Sequence, residues 1–175
     1  MERGHEIIKD RKIGDLVDTQ EIINYLLRLS DAKLTLLKKL LNISRDQERI
    51  LSTDEAENLD QVLEKKQGVM DKIDLLDREF LDKYDILKKA LGIGNLQELE
   101  GQNIPGLDKL QERIGEIMEV LGEINIIDEN NTKKIKENIS KLQGNLKTIQ
   151  TGKKVISGYG KPLEETPSIF IDKKR

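Results

Sequence analysis

The feature that most constrains this chain is an apolar seam running from Leu107 to Ile149. Leu107, Leu110, Ile114, Ile117, Leu121 and Ile124 recur at gaps of mostly three and four, and Ile135, Ile139, Leu142, Leu146 and Ile149 take up the same rhythm. Such spacing places one side chain per turn on a single helix face, and at 1.5 Å per residue the helix would run about 60 Å. A helix of that length needs neighbours of similar length, and the upstream sequence supplies them.

From Asp18 or Thr19, either a candidate N-cap with Glu21 in the first turn, the pattern predicts a first helix to about Leu51. Ile22, Leu26, Leu29, Leu36, Leu40, Ile43 and Ile50 form one line, and Ile23, Leu27, Leu34, Leu37 and Leu41 form a second beside it. Lys33 and Gln47 interrupt the first line. Two adjacent lines make a stripe that touches more than one neighbour, which favours a bundle over a two-stranded coiled coil.

Ser52 and Glu55 have capping-box spacing and are expected to open a second helix that reaches about Leu91. Gly92 and Gly94 are expected to end it, because glycine adopts the left-handed conformation that closes a helix. The connection from Asn95 to Gly106 holds Leu96 and Leu99, enough for one helical turn, and Pro105 is expected to open the third helix. Asp128 and Asn131 occupy positions that the rhythm reserves for apolar groups, so the region from Asn125 to Thr132 is expected to fray, kink or form a polar layer.

The predicted organisation is thus a loose leader over 1–17, where Gly4 and Gly14 interrupt, a helical bundle over 18–151 and an irregular tail over 152–175. The fold class is all-α: an elongated antiparallel bundle of three long helices. With 36% charged and 3% aromatic residues the core is built from Leu and Ile stripes, and a mean hydropathy of -0.57 agrees with a thin core.

Composition also narrows function. The net charge of -3 is read as spread along the chain, with pairs such as Lys38-Lys39 and Lys133-Lys134 near acids, which argues against a nucleic-acid binder. There is no cysteine, and the lone His5 has no second His nearby, so no metal or cofactor site is expected. Asp82-Lys83-Tyr84-Asp85 lacks the ligand spacing of a calcium loop. Gly158-Tyr159-Gly160 lacks the third glycine and the Gly-Lys-Ser/Thr of phosphate loops, and it reads as a turn. No paired-carboxylate constellation suggests an enzyme. No signal peptide or membrane span is visible, so the expected compartment is the cytoplasm.

In the tail, Tyr159, Ile169, Phe170 and Ile171 put apolar groups into a segment too short to form its own core; such a cluster packs back on the bundle or docks on a partner. Leu63-Glu64-Lys65-Lys66-Gln67, then Met70 to Phe80, and above all Tyr159-Gly160-Lys161-Pro162 with Ile169-Phe170-Ile171-Asp172-Lys173-Lys174, resemble the FlgN family of flagellar export chaperones. The resemblance implies a cytoplasmic helical protein that grips a C-terminal helical segment of hook-associated proteins, which form the hook-filament junction, and delivers them to the flagellar type III export gate. It implies that Tyr159, Gly160, Lys161, Pro162, Ile169, Phe170, Ile171 and Asp172 contribute to client and gate contacts, without dividing them between the two. From the residues themselves, Phe80, Met70 and Met118 are expected to line an apolar groove, since methionine adapts to varied partners. A structural coiled-coil scaffold that associates only with itself is the alternative, and a homodimer is compatible with both readings.

Overall fold

The computed structural model describes residues 3–53, 56–99 and 103–159, with side chains described over 18–53, 57–99 and 103–155. It contains three long helices, α1 (Arg3–Ser52), α2 (Leu59–Leu91) and α3 (Leu107–Tyr159), with 3-10 turns at Ala56–Asn58 and Leu96–Leu99. The described residues contain no strand. Two compact units divide the chain, Met1–Asn131 and Thr132–Arg175, and α3 contributes to both.

The first unit is a three-helix bundle. Ile23 and Leu26 of α1 pack with Leu87 of α2 and Leu110 of α3, whereas Leu37 and Leu40 pack with Val69 and Ile73 of α2 and with Ile117 and Ile124 of α3. Residue numbers fall along α2 as they rise along α1 and α3, so α2 is antiparallel to both and α1 runs parallel to α3. The two apolar lines of α1 account for this: one helix faces two partners. Ile23, Leu26, Leu37, Leu87, Leu107 and Leu110 are fully buried, each contributing about 1.5–3 kcal/mol of hydrophobic stabilisation.

Helix ends follow glycine chemistry where a positive φ is needed. Gly92 closes α2 at φ 67°, ψ 33°, donating to the Lys88 carbonyl, which also accepts the Ile93 amide at 3.1 Å; this is a left-handed glycine closure in which one carbonyl takes both the 5→1 and the 6→1 bond. At the other junction Leu107 donates to the Ile104 carbonyl at 3.1 Å, with Pro105 and Gly106 (φ 84°) as the central pair of a type II turn. Pro105 therefore sits in the turn that delivers α3 rather than in the helix itself. A Cβ on Gly106 would lie 3.2 Å from Ile23 Cγ2, so the turn is pressed onto α1. The expected helical turn at Leu96 and Leu99 is present, capped by Asn95 Oδ1, which accepts the amides of Gln97 at 2.9 Å and Glu98 at 3.2 Å.

Three expectations are corrected. The segment over 3–17 is helical, not loose: a glycine inside a helix costs about 1 kcal/mol relative to alanine, too little to stop one that is otherwise free of proline. The same reasoning carries α3 through Gly152 to Tyr159, beyond the expected end. Ser52 does not open α2. Its Oγ donates to the Glu48 carbonyl at 2.9 Å as the last residue of α1, Glu55 lies outside the described residues, and Asn58 holds the N-cap position of α2.

The weak stretch of the third seam resolves as a polar layer. Asn131 and Ser44 are buried, and Asn131 Nδ2 donates to the Ser44 carbonyl at 3.0 Å. Lys66 Nζ bonds Gln47 Oε1 at 3.0 Å and pairs with Asp128. The polar interruptions Gln47 and Lys33 thus each meet α2, Lys33 through an ion pair of 2.5 Å to Asp77.

Candidate partner-binding surfaces

In the first unit a small crevice of about 180 Å³ opens where all three helices meet. Leu29 and Ser30 of α1, Leu76 and Phe80 of α2, and Ile117 and Met118 of α3 line it. Ser30 Oγ is satisfied by the Leu26 carbonyl at 2.9 Å, so the crevice wall demands no polar ligand. Lys33 and Asp77 also line the crevice; with Asp77 39% exposed, their pair adds little stability. Phe80 is half-buried, its ring 6.1 Å from that of Tyr84 at 28°, while Met118 is 63% exposed.

The crevice therefore brings together two of the three residues expected to line a groove. Met70 is exposed on α2 with Leu63 seven residues before it, outside the crevice lining. A wider, open depression near Tyr25, of about 1080 Å³, is lined by Glu21, Arg28 and Lys83 together with Ile22, Leu27 and Ile86. Tyr25 donates its hydroxyl to Glu79, and that hydrogen bond pushes the phenol pKa above its usual value. Arg28 and Lys83 lie over its ring at 5.3 and 5.4 Å.

The second unit carries the later part of the seam, which was expected to lie against the other long helices. Ile139, Leu142, Leu146 and Ile149 of α3 are 49 to 62% exposed, and Val155 is exposed as well. Around them the charge is not evenly spread, as expected, but one-signed: from Thr132 to Tyr159 there are seven lysines and one glutamate. That excess was the available signal. The bundle helix α2 carries acids and bases in comparable number, eight Asp and Glu against seven Lys and Arg over Leu59–Leu91.

Of the tail residues expected to meet partners, Gly160, Lys161, Pro162, Ile169, Phe170, Ile171 and Asp172 lie outside the described residues, and Tyr159 is the last residue of α3. Among the described residues no group of three or more His, Cys, Asp or Glu could hold a metal ion, and no helix is long and apolar enough to cross a membrane.

The described residues thus form an all-α protein with exposed apolar side chains on α2 and α3. A sequence model described as FlgN protein matches residues 22–166, most of the chain, and the protein belongs to the FlgN family. This is a family of flagellar chaperones, which bind flagellar proteins. No curated protein and no solved structure matches the chain.

Proposed function

We propose that the protein is a cytoplasmic chaperone that holds hook-associated proteins, the components of the hook-filament junction, and hands them to the flagellar type III export apparatus. The observation that carries this reading is the exposed line Ile139, Leu142, Leu146 and Ile149 inside the part of the chain that matches the family. An apolar line of helical spacing left in water is a surface for another helix. The mechanism is binding without turnover: client segments that would aggregate or polymerise early are covered until delivery. The crevice at Phe80 and Met118 offers a second apolar contact, Met70 a further one on α2, and the tail from Tyr159 through Asp172 serves client and gate.

Calorimetric titration with the C-terminal segment of a hook-associated protein from the same genome tests this. Saturable binding with a negative heat-capacity change is expected, the mark of apolar burial. The four-three spacing of the exposed line also suits self-pairing. A concentration-dependent dimer, with no heat on adding client segment at several temperatures, would favour the scaffold reading.

A further inference from the structure

The stretch of α3 in the second unit says more about its partner than that it is apolar. Ile135, Ile139, Leu142, Leu146 and Ile149 follow at gaps of four, three, four and three, the spacing of a heptad core. Beside that line stand Asn138, Gln143, Asn145 and Gln150, with Lys134, Lys136 and Lys154 just beyond them; Lys153 falls on the line one turn past Ile149, and Lys133, Lys141 and Lys147 lie further round the helix. At 100° per residue the apolar line is only roughly 80° wide, the width of a seam between two helices. A helix that lies on lipid presents a broader apolar face with aromatic anchors, and this stretch has neither before Tyr159. Contact with a phosphate backbone would use the lysines but leave four large apolar side chains in water.

The flanking amides can hydrogen-bond a facing helix of either sign, so the choice of partner falls to the lysines. A second copy of the same stretch would bring seven lysines against seven, with one glutamate on each side. Like charges so placed oppose pairing, and opposite charges favour it. We propose that this stretch of α3 receives a single amphipathic helix whose flanks are rich in Asp and Glu. The proposal rests on the chaperone reading only in taking that helix to be part of a client. At physiological salt the attraction reaches about 8 Å, so it speeds encounter and selects among helices, while the seam supplies the hold.

The test titrates the full-length protein with two synthetic helical peptides that share one Ile/Leu heptad seam, one with glutamate and one with lysine at the outward positions. The C-terminal segment of the hook-associated protein is titrated separately. The acidic peptide is expected to bind at least about tenfold more tightly than the basic one at low salt, with the gap closing near 0.5 M where screening shortens to a few Å. The variant Lys134→Gln, Lys136→Gln, Lys153→Gln, Lys154→Gln, which removes the lysines nearest the seam, should remove most of the preference, and Leu142→Asp should abolish binding while leaving the thermal melt unchanged.

Equal binding of the two peptides overturns the proposal. So does acidic-peptide binding that survives Leu142→Asp, displacement by a short DNA duplex that itself binds the Leu142→Asp protein as well as the parent, or a free-protein dimer that Leu142→Asp dissolves. If the acidic peptide binds as expected and the hook-associated segment does not, the acidic-helix surface stands and the hook-associated client is excluded.

Discussion

Asn131 reaches across the bundle to the backbone of Ser44, its amide nitrogen 3.0 Å from the carbonyl oxygen, although the two residues are 87 positions apart in the chain. Both residues are buried, yet they are not equivalent: Asn131 has a partner, whereas Ser44 Oγ has no hydrogen-bond partner. Removing a buried, bonded donor costs about 1–2 kcal/mol, while removing an unsatisfied hydroxyl costs little or stabilises. Asn131→Ala should therefore lower the stability measured by urea unfolding by that amount, and Ser44→Ala should leave it equal or raise it. Equal losses in the two variants would show that the hydroxyl is satisfied in solution.

Two glycines predict opposite responses to the same substitution. Gly115 lies within α3, exposed, with nothing within 4 Å of an added Cβ. Gly115→Ala should gain about 0.5–1 kcal/mol by favouring the helix over the unfolded chain. Gly106 has φ 84° and Ile23 at 3.2 Å from the new methyl, so Gly106→Ala should lose about 1–2 kcal/mol. Paired thermal melts decide both.

Alkaline titration reads the Tyr25–Glu79 contact. The hydrogen bond holds the Tyr25 phenol protonated above its ordinary value of 10.0, so the folded state binds that proton more tightly than the unfolded state. Its contribution to stability is complete below pH 10 and disappears as pH rises through the raised folded value. Ultraviolet titration should show one tyrosine ionising late, and Glu79→Gln should bring it back toward the others. A late transition that persists in Glu79→Gln would assign the shift to another cause.

Phe80 and Met118 share a crevice but differ in burial, and that difference separates stability from binding. Phe80→Ala removes half-buried ring packing and should cost about 2 kcal/mol. Met118→Ala, at an exposed position, should change stability by less than about 0.5 kcal/mol. If the crevice holds client, both variants weaken binding to the hook-associated segment. Unchanged affinity in both would remove the crevice from the site.

How much of this was legible in the sequence differs by residue. The buried lines of α1 and the αL closure at Gly92 follow from local periodicity and backbone sterics, and both stand where periodicity puts them. Asp128 and Asn131 were visible as misfits, but the choice among fray, kink and layer depended on Lys66, Gln47 and Ser44 from other helices. Gly4, Gly14 and Gly152 misled because a helix tolerates an isolated glycine at modest cost. Ile139 to Ile149 misled for a different reason: periodicity identifies a face that wants covering, and it is blind to whether the cover belongs to the same chain.

The parallel course of α1 and α3 also orders assembly in time. α1 and α2 are joined by a short connection and can zip together as a local hairpin, but contacts such as Arg45 with Glu123 close a loop that contains all of α2. Loop-closure entropy makes those contacts the slower to form. While the chain is being synthesised, the two faces of α1 are therefore satisfied in sequence, and the α3 side stays bare until ribosomal release of residues beyond Leu107 lets the third helix dock.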